Sequence, residues 1–291
     1  MRLKSLFLVW LLAGLSVVSA ADKKILLLAG SVSHGKGEHE FRAGCLLIQK
    51  CLNQIPGVTS QVYSNGWPQD PSVFQGVDAV FMYADGGAGH PAIRPERTRI
   101  LNDLAAKGVG IGCAHYAVEV PKGDSGEAML AWIGGYFETF WSVNPHWTAQ
   151  FTKLPEHPIT RGVKPFEIND EWYYHMRFRE GMKGVTPILS AVAPASTLDR
   201  PDGPHSGNPG VRASVAKGEP QHLMWVTERS DGGRGFGFTG GHFHRNWTHE
   251  NFRKSLLNGL LWIAKVEVPK NGVESMLTDA DYKIGLDAKG K

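Results

Sequence analysis

KILLLAGSVSHGKGEHEFRAGCLLIQKCLNQ, residues 24–54, is the stretch of sequence that decides the fold. Up to Val32 it is a nearly continuous apolar segment with a Gly/Ser ending, which is typical of a parallel strand buried on both faces. From Glu40 the apolar residues recur with helical spacing, until Pro56-Gly57 ends the pattern. A buried strand followed by an amphipathic helix predicts the βαβ arrangement of an α/β protein.

The same alternation continues along the chain. Further strands are predicted for VTSQVYS near Val58, VDAVFMYAD ending at Asp85, VGIGCAH ending at His115 and GRGFGFTGGHF over 233–243, and further helices over 94–108 and 248–265. Three aromatic-rich segments, 146–151, 166–178 and 185–192, are predicted to extend the sheet and to wall a pocket. Together these patterns predict an open, mostly parallel sheet with helices on both faces.

The first twenty residues, 1–20, predict a secretory signal peptide. Arg2 and Lys4 precede the apolar segment 6–15, and Val18-Ser19-Ala20 supplies small residues for a cleavage site. No second hydrophobic stretch of that kind follows, so we expect no stable membrane span after cleavage. We therefore expect an exported protein, released to the periplasm or to the extracellular medium.

Charge and cysteine content narrow the class of protein. Without Arg2 and Lys4, 29 basic residues face 28 acidic ones, which gives no electrostatic case for nucleic-acid binding. Cys45 and Cys51 lie six apart on a predicted helix and point in different directions, and the third cysteine leaves an odd number. We predict no structural disulfide, and we interpret both residues as part of the core.

Histidines and carboxylates follow the ends of the predicted strands. Because parallel strands place their carboxyl ends at one edge of a sheet, these side chains should converge on one rim. The candidates are His34, Glu38, His39 and Glu40 after the first strand, Asp85, Gly86, Gly87 and His90 after the third, His115 and Glu119 after the fourth, and His242, His244 and Trp247 after the last. We interpret His90 and five further histidines as surface or packing residues, namely His157, His175, His205, His222 and His249.

A second pattern, NDEWYYH, places Asp170 and Glu171 before Trp172 and Tyr173. A carboxylate beside aromatic rings suits sugar binding, although the two acids could also cap a turn. Imidazoles and carboxylates without paired thiols suggest a divalent ion such as zinc or manganese. The sequence contains no HExxH, CxxC or P-loop motif, so the metal prediction depends on convergence in space, and no nucleotide cofactor is expected.

Four motifs in order along the chain carry a family resemblance. SHGKGEHEF, GCAHYAVE, HPITRGVKPFEINDEWYYHMRF and GRGFGFTGGHFHRNW, with a final helix ending LNGLLWIAK, resemble the ThuA-like (trehalose utilisation) family over residues 24–269. Residues 270–291 then form a polar C-terminal tail that we expect to be loosely ordered. The resemblance implies a flavodoxin-like fold similar to class I glutamine amidotransferases, with a sharp strand-to-helix turn.

In those amidotransferases the sharp turn holds a cysteine nucleophile. Here the matching stretch is Cys113-Ala114-His115-Tyr116-Ala117, so a histidine takes the nucleophile's position and Cys113 lies two residues earlier inside the strand. The later His-x-Glu pair of those enzymes is matched by His244 and Asn246. Glutamine amidotransferase activity is therefore not expected.

The resemblance also implies a role in the use of trehalose and related disaccharides, by a route through 3-keto-glycosides. Carried over position by position, the family's polar set falls on His39, His115, Glu171 and His242, with His34, Asp170, Tyr173 and His244 as neighbours. Either His34 or His39 could fill the position in the first loop.

Our hypothesis is an extracytoplasmic hydrolase or lyase that acts on a disaccharide, a glycoside or its 3-keto derivative with metal assistance. The metal ligands would be His39, His115 and His242, with Glu171 as a further candidate, and the catalytic residues His115, Glu171 and His244, of which His244 or Glu171 would act as the base. The substrate-binding residues would be His34, Asp85, Gly86, Gly87, Glu119, Asp170, Trp172, Tyr173 and Trp247. The alternatives are a non-catalytic sugar-binding protein and a metal-dependent amide or ester hydrolase, and the oligomeric state stays open.

Overall fold

The computed structural model describes residues 22–289, so the predicted signal peptide lies outside the described residues. The strands are β1 (Lys23–Ala29), β2 (Val58–Tyr63), β3 (Ala79–Tyr83), β4 (Gly110–Ala114), β5 (Gly135–Tyr136), β6 (His146–Phe151), β7 (Phe166–Glu171), β8 (Arg177–Phe178), β9 (Val185–Val192), β10 (Pro220–Glu228) and β11 (Arg234–Phe238). The helices are α1 (Phe41–Leu52), α2 (Pro95–Ala106), α3 (Asp124–Ile133), α4 (Pro209–Ala216) and α5 (Glu250–Ile263). Between residues 22 and 289, none of these helices has the length and apolar character needed to cross a bilayer.

Seven strands form the central sheet, in the order β2-β1-β3-β4-β11-β10-β9. The first five are mutually parallel, and β10 and β9 extend the sheet in antiparallel pairing. Taken in chain order, the five parallel strands have the 2-1-3-4-5 arrangement of flavodoxin-like sheets, in which ligands bind beyond the carboxyl ends of the strands. This confirms the predicted open, mostly parallel sheet.

The two faces of the sheet carry separate apolar cores, and β1 contributes to both. Ile25 and Leu27 pack in the core that α1 and α5 cover, whereas Leu26 and Leu28 pack in the core that α2 and α3 cover. Because successive side chains of a strand point to opposite faces, a strand buried on both sides must be apolar at every position. This requirement explains the nearly continuous apolar segment that begins at residue 24.

Some elements differ from the prediction. Segment 185–192 extends the sheet as β9, but β6 and β7 pair with each other as a separate antiparallel hairpin. In β6 buried and exposed residues alternate, so one face covers the core and the other remains in solvent. Strand β10 and helices α3 and α4 were not predicted.

The three cysteines are free and buried, as predicted from their spacing. The tail differs from the expectation of loose order, since residues 270–289 pack against the domain. Val273 is buried, and the carboxylate of Asp281 accepts a hydrogen bond from Lys50 on α1 at 2.5 Å. The polar composition of the tail conceals these anchors, because Asp281 and Lys289 pair with residues far away in sequence.

Gly110 is required where β4 passes beneath the end of α5. A Cβ atom at this position would lie 2.3 Å from the backbone oxygen of Ile263, which is far inside contact distance. We expect Gly110→Ala to lower the free energy of unfolding in urea by about 1–3 kcal/mol or more, because backbone must move. Gly89→Ala is the control, since its Cβ would have no described atom within 4 Å, and should change stability by less than about 0.5 kcal/mol. Equal effects of the two variants would contradict this explanation.

The neutral imidazole of His90 connects the loop after β3 to the turn after β4 through hydrogen bonds. Its Nε2–H donates to the oxygen of Ala117, its Nδ1 accepts from the amide of Ala92, and burial lowers its pKa to about 4. The imidazole of His90 is therefore protonated below about pH 6.5 in the unfolded chain, but only below about pH 4 in the folded chain. The free energy of unfolding should fall as the pH falls from about 6.5 to about 4. Over this range, His90→Gln should lose about 3 kcal/mol less of its free energy of unfolding than the wild type, measured by urea titration with chelator present. Parallel pH profiles for the two proteins would contradict the assignment.

Candidate metal centre and active site

Three histidines from three strand ends meet at the carboxyl edge of the sheet. His39 follows β1, His115 follows β4 directly, and His242 follows β11. The Nε2 atom of His39 lies 3.0 Å from Nε2 of His115 and 3.1 Å from Nδ1 of His242. All three residues are buried. The structure therefore brings together the three side chains that the sequence proposes as metal ligands.

Glu171, at the end of β7, completes a four-residue cluster with these histidines. Its Oε2 atom lies 3.1 Å from Nδ1 of His242 and 3.5 Å from Nε2 of His115. The four candidate ligand atoms all lie within 4.8 Å of one another. Ligands at about 2.05 Å from a tetrahedral zinc ion lie ~3.3 Å apart, so the cluster has the dimensions of such a site.

The backbone at this site is strained. His39 has φ 45° and His115 has φ 52°, both in the left-handed region that residues other than glycine rarely adopt. His115 occupies the sharp turn between β4 and the 3₁₀ turn that follows, which is the position that the family resemblance implies. Such strain persists only where the surroundings fix the conformation, and it is concentrated at functional sites.

The outer nitrogens of two rings bind fixed acceptors. Nδ1–H of His115 donates to the backbone oxygen of Thr239 at 3.1 Å, and Nδ1–H of His39 donates to Oδ1 of Asp85 at 3.1 Å. Each neutral ring then has its lone pair on Nε2, and these two lone pairs face each other. Metal-binding histidines are held in the same way, by a carbonyl or carboxylate on the far nitrogen.

The pKa values support neutral rings at these two positions. Burial is the main cause that lowers the pKa of His39 to about 2 and the pKa of His115 well below its usual value. For His242 burial is also the largest effect, but hydrogen bonding and charge from Glu171 outweigh it and raise the pKa. A proton is therefore a poor bridge between His39 and His115, whereas a divalent cation would satisfy both lone pairs.

A polar cleft of about 350 Å³ opens beside the cluster. Its lining residues are His34, Tyr116, Glu119, Asn144, Glu171, Tyr173, Arg200, His205 and His242. Within it, Nε2 of His205 lies 2.9 Å from Oε1 of Glu119, and the hydroxyl of Tyr173 lies 3.3 Å from both His115 Nε2 and Glu171 Oε2. Of the substrate-binding candidates, His34, Glu119 and Tyr173 therefore line this cleft, and Asp85 contacts the cluster through His39.

Three aromatic or imidazole assignments are corrected by the structure. Trp172 and Trp247 are completely buried and pack against Phe252, so neither ring can stack on a sugar. His244 lies outside the cleft, because its Nε2–H donates to the backbone oxygen of Tyr282 in the tail, and it cannot serve as the base.

Three other substrate-binding candidates contact the backbone of neighbouring loops and are not among the residues that line the cleft. Asp170 is buried and accepts hydrogen bonds from the amides of Glu171, Gly241 and His242, so it fixes the loop after β11. Gly86 approaches the turn after β4 so closely that a Cβ would lie 2.1 Å from the oxygen of Tyr116. Gly87 adopts φ 59° in the same loop. Their roles are structural.

The sequence reasoning missed several residues that line the cleft or lie beside Glu171. His205 was interpreted as a surface or packing residue but lines the cleft with Arg200 and Asn144. His146 pairs in register with Glu171 across the β6-β7 hairpin, and its Nε2 lies 3.8 Å from Oε1 of that residue. Only knowledge of the hairpin register could have indicated His146.

Solved structures of other proteins share the fold of this chain. A protein of Bacteroides uniformis described as ThuA-like aligns with a TM-score of 0.57 and 16% identity over 84% of this chain and 93% of its own. A second, from Parabacteroides merdae, aligns with a TM-score of 0.56 and 15% identity over 90% and 99%. No protein with curated annotation matches the chain significantly.

The family model described as trehalose utilisation matches residues 28–263. This span includes the end of β1, all four members of the cluster and the whole of α5. Membership in a family with that description supports a carbohydrate-related role. Since the match extends over most of the sequence, the chain belongs to the ThuA (trehalose utilisation) family.

Proposed function

We propose that this protein is a metal-dependent enzyme that processes a disaccharide, a glycoside or its 3-keto derivative outside the cytoplasm. The observation that carries the proposal is the four-residue cluster of His39, His115, Glu171 and His242, whose ligand atoms lie within 4.8 Å of one another beside a polar cleft. The predicted signal peptide supports the extracytoplasmic location.

The cluster favours zinc or manganese, because its donors are imidazole nitrogen and carboxylate oxygen. When bound, such an ion would polarise a sugar carbonyl or hydroxyl and lower the pKa of a bound water. The chain's own contribution is to hold His39 and His115 neutral and correctly oriented through Asp85 and Thr239. Glu171 would provide the single negative charge in the ligand set.

Proton transfer is assigned to His205 with Glu119 as its orienting partner. Hydrogen bonding to Glu119 is the largest cause that raises the pKa of His205, which favours the imidazolium form. The pair lies in the same cleft as Glu171, where His205 can deliver a proton to a leaving oxygen. His205 thus replaces His244 as the histidine that transfers a proton, and it acts as an acid where the sequence suggested a base.

The remaining cleft residues suit sugar hydroxyl groups. Asn144 donates to Oε1 of Glu171 at 3.1 Å, and Arg200 donates to Oδ1 of Asn144 at 2.9 Å. Tyr116 is half-buried, and it offers the ring that Trp172 and Trp247 cannot. This lining combines donors, acceptors and one aromatic face, the usual requirements for binding a sugar.

The first test measures metal binding by isothermal titration with zinc and with manganese after treatment with chelator. We expect one ion per chain, and His115→Asn should weaken binding at least ~100-fold, because asparagine tolerates the positive φ but removes the imidazole ligand. His222→Asn, on β10 and outside the cluster, should leave the affinity unchanged within about twofold. A wild-type protein that binds neither ion would overturn the metal assignment.

The second test measures turnover of trehalose and 3-keto-trehalose with and without chelator. We expect chelation to abolish turnover, and His205→Gln to lower kcat by about 10²–10⁴-fold while zinc affinity stays unchanged. His222→Asn again provides the matched control. Binding of either sugar without turnover would instead identify a sugar-binding protein, and turnover that persists with chelator would refute metal assistance.

A further inference from the structure

The tail of the chain contacts the loop that carries His39. Nζ of Lys289 donates hydrogen bonds to the backbone oxygens of Glu38 and of His39, the latter at 3.3 Å. The first oxygen belongs to the peptide group before His39 and the second to the peptide group after it. One ammonium group therefore binds both peptide units that determine the φ and ψ angles of His39.

His39 needs such a restraint. Its φ of 45° is unfavourable for a residue with a Cβ, and the conformation persists only if neighbouring groups hold it. One restraint comes from within the fold, where the amide of His39 donates to the backbone oxygen of His242 at 3.0 Å. Lys289 provides a second restraint on the opposite side of the same peptide groups.

The position of Lys289 is itself fixed by buried charges. Its side chain is 4% exposed, and Nζ lies 3.5 Å from Oε1 of Glu40 and 3.8 Å from Oδ2 of Asp287. Glu40 also accepts hydrogen bonds from the amides of Gly37 and Asp287, so its carboxylate joins the loop to the tail. Lys289 is held in place by these two carboxylates, and loss of its charge would leave both of them uncompensated.

The tail has a separate anchor that does not contact His39. Asp281 accepts a hydrogen bond from Lys50 at 2.5 Å and further bonds from the amide and hydroxyl of Thr278. This anchor fixes the tail on α1. A contribution of Lys289 to the geometry of His39 can therefore be separated from a general contribution of the tail to stability.

We propose that Lys289 is a positioning residue for the metal centre, which acts by holding the backbone of His39 in the conformation that directs its Nε2 towards His115 and His242. The tail therefore contributes to the geometry of the metal centre. The inference rests on the proposed metal centre for its effect on affinity, but its effect on the backbone of His39 is independent of any metal.

The test compares Lys289→Met with Lys50→Met in the full mature chain. Zinc affinity is measured by isothermal titration at a temperature at which circular dichroism shows both variants folded. Amide hydrogen exchange at His39 is measured by NMR on the metal-free proteins. We expect Lys289→Met to weaken zinc binding about 10–100-fold and to speed exchange at His39 more than tenfold, and Lys50→Met to change each by less than about twofold.

The outcomes separate this inference from the proposed function. Equal losses in the two variants, or unchanged affinity and exchange in Lys289→Met, would overturn the positioning role. If the wild type binds neither zinc nor manganese, the metal proposal fails, and hydrogen exchange at His39 still decides whether Lys289 holds the loop. If Lys289→Met does not fold, the double variant Lys289→Met/Asp287→Asn retains the local net charge and is measured in its place.

Discussion

The Nε2 atoms of His39 and His115 face each other at 3.0 Å, and each ring has placed its proton on the opposite nitrogen. Two lone pairs at this distance repel, and burial makes protonation of either ring unfavourable. The surrounding chain must therefore hold both rings firmly, and the proposed divalent cation would remove the repulsion between the lone pairs. Much of the polar structure at this edge of the sheet holds the rings in place.

The support for the rings comes from parts of the chain that are distant in sequence. Asp170 on β7 accepts from the amides of Gly241 and His242, and so fixes the third histidine from the hairpin side. The hydroxyl of Tyr83 on β3 donates to the oxygen of Gly241 in the same loop. The parallel sheet brings the strand ends together, but the precision of the site depends on these cross-links between loops.

Local patterns were sufficient for the five parallel strands but not for β10, and the family resemblance selected the four residues of the cluster among the polar residues that follow strand ends. Apolar strands buried on both faces are readable along β1, β3 and β4, and the histidines that follow strand ends must share one edge. The aromatic residues could not be assigned in this way. Trp172 and Tyr173 are neighbours, yet one ring enters the core and the other lines the cleft, and only the course of the chain after β7 decides between them.

Other errors arose from long-range contacts that no local pattern encodes. His242 and His244 are two residues apart, but the 3₁₀ turn that begins at His244 directs its ring towards Tyr282. His205 and Arg200 belong to a loop segment that reaches the cleft only after β9 and α4 have been placed. The tail was misjudged for the same reason, since Lys289 finds its partners about 250 residues earlier in the chain.

The burial of the thiols has a consequence for where such a site can work. Cys113 lies inside β4, two residues before the turn, and burial raises the pKa of its thiol, so the nucleophilic thiolate hardly forms. Among the residues that the structure describes, no cysteine or methionine lines the cleft. Peroxides and disulfides, which attack exposed sulfur, would therefore find no target there. With an imidazole in place of a thiol at the turn, the described lining of the cleft presents no sulfur group that an oxidising environment could modify.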